Sequence, residues 1–118
     1  MKYLLLIHQG DTPTPGSEEW ERLSEDEQKA VYGAYQSINQ NPGVIPGLWL
    51  QPPEAATTVR MEDGKTLTTD GPFVSVKEAL GGYLVFEADD LDAAIELASQ
   101  IPAASMGGAV EVRPIVEQ

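Results

Sequence analysis

The most distinctive stretch of this 118-residue chain is residues 69–82, TDGPFVSVKEALGG. Glycine's wide backbone freedom and proline's fixed φ enforce a turn at Asp70-Gly71-Pro72, and the proline disfavours helix in the residue before it. A Gly81-Gly82 hinge then leads into a strand. An ordered connection of this length in so small a domain forms a site more often than a passive linker. The stretch therefore predicts a site-forming loop between two halves rich in strand and helix patterns.

Matches to one family pattern run in order along nearly the whole chain. They are residues 1–7 (MKYLLLI), the break at Gln51-Pro52-Pro53, residues 57–60 (TTVR), 69–73 (TDGPF), Lys77-Glu78, 80–83 (LGGY) and 110–114 (VEVRP). On these residues the chain resembles the YCII-related family, in its DGPF-domain branch. The resemblance implies a ferredoxin-like α+β domain that pairs into a dimeric α+β barrel, with no settled activity for this branch.

The resemblance also bears on function. It implies linkage to alternative sigma factors, and hence a sensing or accessory role in sigma-factor-controlled transcription. In the broader family it implies an active centre made of a histidine and an aspartate, with the histidine in or near the first helix. The single histidine of this chain, His8, precedes that helix, so the family's histidine cannot be transferred to it.

Composition limits the classes of protein that fit. One domain over residues 1–118 is expected, with a modest core. The chain has no cysteine, which suits a reducing cytoplasm. Its only early apolar run is too short to span a membrane. A net charge of −12 repels phosphate backbones, so direct nucleic-acid binding is not expected.

The expected elements follow from apolar periodicity and from turn residues. They are a strand at 2–8, a helix from the Ser24 capping box to about Gln40, short strands at 48–50 and 55–62, a return strand after Asp63-Gly64, a strand at 83–88, a helix capped by Asp89 or Asp90, and a last strand at 110–116. The order is βαββαβ with an extra hairpin. It predicts a ferredoxin-like α+β sandwich, mainly antiparallel, with both helices on one face.

Dimerisation is inferred from the same pattern, independently of the family. The strands at 3–7 and 83–86 are apolar on both faces, although two helices can cover only one face of a sheet. A second copy of the chain is the simplest cover for the other face, so a homodimer is expected.

His8 is the residue most suited to proton transfer near neutral pH. The first strand is expected to end beside the end of a parallel neighbour at 83–88 and the start of the last strand. Glu87 or Glu111 would then orient His8 for general acid–base work. The alternative is a surface histidine at a strand end.

Asp70 also has two interpretations. It is either a carboxylate aimed into a cleft, held ionised by Lys77, or a residue that caps its own turn. Lys77 in turn could form only a local ion pair with Glu78.

The remaining candidates would contact a ligand. Arg60 and Arg113 could bind an anionic substrate. Because both lie on predicted strands, they could equally pair with neighbouring acids. Aromatic residues are expected in the core or in a pocket wall; they are Trp49, Phe73, Tyr83 and Phe86. No metal or phosphate motif is present in the sequence, so no cofactor is expected.

Two functions remain open at this stage. One is a small-molecule-binding or regulatory dimer, with a pocket between the sheet, the Asp70 loop and the partner subunit. The other is a cofactor-free enzyme, of lyase or isomerase type, that uses Asp70 and His8.

Overall fold

The computed structural model describes residues 1–51, 53–73 and 80–117. The elements in chain order are β1 (Lys2–His8), α1 (Glu18–Glu21), α2 (Glu25–Asn39), β2 (Val44–Ile45), β3 (Thr57–Glu62), β4 (Lys65–Asp70), β5 (Leu80–Glu87), α3 (Leu91–Ser99) and β6 (Ala109–Pro114). Four strands form one sheet in the order β2-β5-β1-β6, and β3 and β4 form a separate two-stranded sheet. This is the expected ferredoxin-like arrangement with an added hairpin.

The pairings within the four-stranded sheet are all antiparallel. The expectation of a strand at 83–88 parallel to β1 is therefore wrong. The β1-helix-β2 crossover makes β1 and β2 parallel to each other, and β5, which lies between them, must run the opposite way. As a result His8 lies opposite Leu80 at the start of β5, whereas Glu87 lies opposite Lys2 at the far end. Glu87 therefore cannot orient His8.

The core lies on one face of the sheet, beneath α2 and α3. Alternate β1 residues Tyr3, Leu5 and Ile7 are buried, because successive side chains of a strand point to opposite faces. The core cluster also contains residues from β2, β5, both helices and the turn after α3: Ile38, Val44, Leu84, Phe86, Ala88, Ala94, Leu97, Ala98, Ile101 and Ala103. Both helices therefore lie on the same face, as expected.

The helix ends follow local sequence chemistry. The Ser24 hydroxyl accepts the amide N–H of Glu27 at 3.1 Å, and the Glu27 carboxylate accepts the amide N–H of Ser24 at 3.0 Å. This is the capping box expected at the start of α2. These hydrogen bonds hold the pKa of Glu27 below its ordinary value. At α3 the cap is Asp90, which accepts the amide N–H of Ala93 at 2.9 Å.

Helical spacing of apolar residues predicts that Ala30 on α2 and both Leu91 and Ile95 on α3 face the core, but all three are exposed. The buried residues of α3 are Ala94, Leu97 and Ala98. A helix needs only a few core-facing positions, and apolar residues at the margin of the stripe remain in water. Across the described ranges, no helix combines the length and the apolar character needed to span a bilayer.

The β3–β4 hairpin has the register expected from Asp63-Gly64. Both turn residues have positive φ, 50° and 76°, which a two-residue turn of this type requires. Glu62 pairs with Lys65, and Arg60 pairs with Leu67. Val59 and Met61 therefore lie on the opposite face of the hairpin.

Two segments beside the site differ from expectation. Residues 48–50 form no strand; they are joined to β5 by a single bridge between Trp49 and Gly82. Moreover β5 begins at Leu80, so Gly81 and Gly82 belong to the strand and are not a hinge before it. The register of β1 against β5 shifts between Ile7, which pairs with Gly82, and His8, which pairs with Leu80. Glycine within a strand often marks a bulge of this kind.

Candidate functional site

A large cavity lies at the end of the sheet where β1 ends and β5 begins. Its volume is about 880 Å³. Four segments form its wall: the loop after β1, residues 49–51 with 53–54, the base of the hairpin at 70–72, and the first residues of β5. The described lining residues are Gln9, Gly10, Thr12, Thr14, Pro15, Ser17, Trp49, Leu50, Gln51, Pro53, Glu54, Asp70, Gly71, Pro72, Leu80 and Gly81.

The first wall is a loop held by tight backbone contacts. The Asp11 amide donates to the Gly107 carbonyl at 3.1 Å, and the Thr12 amide donates to the Gln9 carbonyl at 2.8 Å. Gly10 has φ 55°, and a Cβ there would collide with the carbonyl of Gly107. Only glycine fits this crossing. The loop is thereby fixed against the turn that precedes β6.

The second wall is the segment that runs along the edge of β5. The Leu50 amide donates to the Gly81 carbonyl at 2.9 Å. A Cβ on Gly47 would collide with the Tyr83 carbonyl, so this close approach requires a glycine. These contacts place Trp49 at the cavity, where its ring meets Tyr35 edge to face at 5.1 Å.

Trp49 was expected in the core or in a pocket wall, and the structure places it in the wall. Its side chain remains 54% exposed. Tyr35, the neighbour that supports its ring, is largely enclosed, and burial raises the pKa of the Tyr35 hydroxyl to about 12. Tyr35 therefore stays neutral at physiological pH and acts here as an aromatic support.

The third wall carries Asp70. Gly71 follows it with φ 96°, a conformation that favours glycine. The Gly71 amide donates to the Ala56 carbonyl at 2.7 Å, and its carbonyl accepts the Thr58 hydroxyl at 2.7 Å. The turn is thus held by the hairpin base. Within the described part of the chain, no hydrogen bond joins the Asp70 carboxylate to an amide of the turn.

The ionisable side chains in the described lining are both acids, Glu54 and Asp70. Arg60, expected to bind an anion, lies instead on the other face of the hairpin. Its guanidinium is 3.3 Å from Glu62 and 5.6 Å above the ring of Phe73. Phe73 is itself 72% exposed. The prediction for Lys77 lies outside the described residues.

His8 belongs to a different group of side chains. Its Nε2 is 3.2 Å from Oε1 of Glu111, and Glu111 also accepts a hydrogen bond from Arg113. The Arg113 guanidinium, and then His8, hold the pKa of Glu111 below its ordinary value. Of the two acids expected near His8, the structure therefore places Glu111 beside it. Arg113 pairs with an acid, as its alternative interpretation proposed.

Among the described lining residues, Asp70 and His8 therefore do not share one cavity. Asp70 lines the large cavity, while His8 is directed towards Glu111 on β6. Tyr83 lines a smaller cavity of about 40 Å³ together with Tyr35 and Trp49. Among the described side chains, no group of three or more His, Cys, Asp or Glu residues is placed to hold a metal ion.

Several wall residues were not singled out from sequence. They are polar side chains from irregular segments: Gln9, Thr12, Thr14, Ser17, Gln51 and Glu54. Their signal was weak, since a loop rich in proline and threonine indicates only a turn. The Gly-Pro turn was the detectable part of the site.

One further surface adjoins this end of the molecule. The sheet face opposite the helices presents side chains that alternate with the core positions, as the strand registers show. We call the apolar part of this surface the open face; it consists of Leu4, Leu6, Ile45, Tyr83 and Val85. Ile45 is 54% exposed and the other four are half-buried. The registers place Lys2, His8, Glu87, Glu111 and Arg113 on the same side of the sheet, around it. The open face is the apolar sheet face that the sequence predicted.

Comparison with known proteins identifies relatives. The family model described as "YCII-related domain" matches residues 1–118. An uncharacterised protein of Rhizobium meliloti is 33% identical over 98% of this chain and 92% of its own length. A solved structure of 5-chloro-2-hydroxyhydroquinone dehydrochlorinase from Burkholderia phenoliruptrix, in complex with 2,5-dihydroxybenzoquinone, is 16% identical. It aligns with a TM-score of 0.48 over 100% of this chain and 96% of that chain.

Proposed function

This chain belongs to the YCII-related family, and we propose that it acts as a homodimer that binds a small molecule in the cavity beside Asp70. The observation that supports the proposal is the cavity itself. Its volume of about 880 Å³ lies within the roughly 300–1,000 Å³ that ligand sites usually occupy. Apolar surface with a few convergent polar groups is the usual lining of such a site, and this cavity has both.

The lining limits the ligand's chemistry. Trp49 offers an aromatic face, and Gln9 and Gln51 offer amides that can donate and accept hydrogen bonds. The ionisable side chains in the described walls, Glu54 and Asp70, are acids, which repel an anion and attract a cation. An aromatic face also binds cations. The proposed ligand is therefore a small cyclic molecule that is neutral or positively charged.

The homodimer is proposed on the open face. Its side chains are apolar or aromatic and remain partly exposed in the single chain. Contiguous apolar surface of this kind usually marks an interface. With a net charge of −12, two copies repel each other over most of their surface. The open face offers apolar burial, and the charged residues around it are of both signs, Lys2 and Arg113 with Glu87 and Glu111, so association there is opposed less than elsewhere.

The alternative is an enzyme without a cofactor that uses Asp70 and His8 as acid and base. It requires both groups to reach one substrate. Asp70 lines the cavity, whereas His8 is not among the described lining residues and its ring meets Glu111. Binding is therefore the function that the geometry supports better. If the alternative holds, His8→Gln and Asp70→Asn will each abolish turnover while ligand affinity changes little.

The proposal also includes a regulatory role in sigma-factor-controlled transcription and a cytoplasmic location. Both rest on the sequence: the first on the resemblance to the DGPF branch, the second on the absence of cysteine. Ligand binding would be the input to such a regulator. Copurification of a sigma factor with the tagged chain, lost on adding ligand, is the expected result.

Fluorescence titration tests the binding site. The chain has two tryptophans, Trp49 at the cavity and the buried Trp20, so a Trp20→Phe background isolates the relevant signal. Benzyl alcohol, benzylamine and benzoate share a ring and differ in charge. We expect the alcohol and the amine to quench Trp49 saturably, and benzoate to leave it unchanged.

A filling variant provides the matched comparison. Leu80→Trp in the otherwise unmodified chain places bulk in the cavity wall, whereas Leu67→Trp places the same bulk on the hairpin outside the described lining. Calorimetry should show benzylamine binding lost in the first and kept in the second. Equal binding by both variants, or no binding of any probe to the unmodified chain, would contradict the proposal.

A further inference from the structure

Gln9 lies where the large cavity meets the smaller one. The smaller cavity is lined by residues of α2, of the segment 46–49, of β5 and of the end of β1. The residues that line both cavities are Gln9, Trp49 and Gly81. They therefore form the boundary between the two cavities, and a ligand ring that contacts Trp49 in the large cavity lies beside that boundary.

The side chain of Gln9 lies directly over the backbone of Gly81. A Cβ at position 81 would collide with this side chain, and the atoms nearest to that position, Cγ, Cδ and Nε2, all belong to Gln9. Gly81 is itself held in place, because its carbonyl accepts the Leu50 amide at 2.9 Å. A glycine is needed for this close approach. Gly81 thus positions the Gln9 side chain at the boundary.

The backbone of Gln9 is fixed, whereas its side-chain amide is available to a ligand. The Gln9 carbonyl accepts the Thr12 amide at 2.8 Å. Among the described residues, none forms a hydrogen bond with the half-buried side-chain amide of Gln9. A glutamine amide can donate two hydrogen bonds and accept two. A ligand group that pairs with this amide gains a hydrogen bond in a partly enclosed position.

We infer that Gln9 determines the ligand specificity of the proposed site: its amide recognises a short, uncharged, polar substituent on the ligand's ring, and the smaller cavity receives that substituent. The inference rests on the proposed function, because it assigns a second contact to the same ligand. Gly81 is the positioning residue that holds the amide at the boundary.

The volume of the smaller cavity limits the length of the substituent. A water molecule needs roughly 10–15 Å³ of space in a cavity, so about 40 Å³ accommodates a group of about three non-hydrogen atoms. A carboxamide has this size. A second ring does not fit, so the ligand has one ring with a short substituent.

The lining of the smaller cavity excludes a charged substituent. Its described lining residues include no Asp, Glu, Lys, Arg or His. Burial raises the pKa of Tyr35, one of these residues, to about 12, so that its hydroxyl stays neutral. A charged group would lose its water there without gaining an opposite charge. An uncharged polar group can instead pair with the amide of Gln9.

The two cavities together define the ligand. Glu54 and Asp70 attract a neutral or positively charged group in the large cavity, and Trp49 meets the ring. The polar substituent lies on the other side of the ring, at Gln9. A ring with an aminomethyl group at one end and a carboxamide at the other has this arrangement.

Calorimetric titration of the full chain with matched probes tests the inference. Benzylamine has no second substituent, 4-(aminomethyl)benzamide adds a polar group, and 4-isopropylbenzylamine adds an apolar group of similar size. We expect the unmodified chain to bind the carboxamide about tenfold more tightly than the isopropyl probe, because one additional hydrogen bond forms in a partly enclosed position.

The variants separate the amide of Gln9 from the rest of the site. Gln9→Leu keeps the bulk over Gly81 and removes the amide, so the preference for the carboxamide should be lost or reversed. Gly81→Ala keeps the amide but displaces it, and should also reduce the preference. Gln51→Leu is the matched control, because Gln51 lines the large cavity and is not among the described lining residues of the smaller one. Its readout is the ratio of the two affinities, which should stay as in the unmodified chain.

The outcomes distinguish this inference from the proposed function. If benzylamine binds and the unmodified chain does not prefer the carboxamide, the inference is wrong and the proposed site stands. The same conclusion follows if Gln9→Leu keeps the preference, or if Gln51→Leu loses it equally. If benzylamine does not bind the unmodified chain, both the site and the inference are overturned.

Discussion

Asp70 is the residue on which the binding proposal depends most. Gly71 holds it against the hairpin base, and its carboxylate lines the cavity in which Trp49 supplies an aromatic face. The turn chemistry of Asp-Gly-Pro made this residue detectable in the sequence. Its partners in the wall were not detectable, because they come from loops whose folding depends on contacts distant in sequence.

Replacing Asp70 with asparagine should weaken the binding of benzylamine about tenfold, which is ~1.4 kcal/mol of binding free energy. The reason is that a charge-assisted hydrogen bond becomes a neutral one while the shape is kept. Asp63→Asn is the matched control, since it removes the same charge from the turn at the far end of the hairpin, where asparagine tolerates the positive φ of 50°. Calorimetric titration would contradict the assignment if both variants lost equal affinity.

Glu111 should contribute a measurable pH dependence. Its pKa in the folded chain is held below the ordinary value of 4.5 by Arg113 and then His8. Its contribution to stability is therefore present above pH 4.5 and is lost as the pH falls through the lower, folded pKa. Chemical denaturation of Glu111→Gln should show a loss of stability at pH 6 that is smaller at pH 3. Glu96→Gln, an exposed glutamate on α3, should show no such difference; a constant loss at both pH values would contradict the prediction.

The secondary-structure elements show which predictions local chemistry can make. The capping box at Ser24 and the register of the hairpin at Asp63-Gly64 were both confirmed, because each depends on residues within one turn. The direction of β5 relative to β1 was predicted wrongly, and Glu87 was misplaced with it. Strand direction depends on the path of the whole chain, which no short pattern records.

The capping box should also be visible in stability. Ser24→Ala removes the hydroxyl that accepts the Glu27 amide and should cost about 1 kcal/mol. For a domain of this size that corresponds to a fall of roughly 4 °C in Tm. Ser37→Ala, at an exposed position late in the same helix, should change Tm little. If calorimetric scans show an equal fall in Tm for the two variants, the cap contributes nothing to stability.

On the scale of the whole molecule, the open face of the sheet is the surface that requires cover. It was predicted from strands that are apolar on both sides. The proposed association of two copies covers it.

The mass in solution tests that association most directly. Sedimentation equilibrium of the unmodified chain at micromolar concentration should give twice its mass of 12.7 kDa. Ile45→Glu on the open face should reduce the mass to 12.7 kDa, while Ile95→Glu, at a similarly exposed position on α3, should leave the dimer intact. A single species of 12.7 kDa for the unmodified chain would contradict the account.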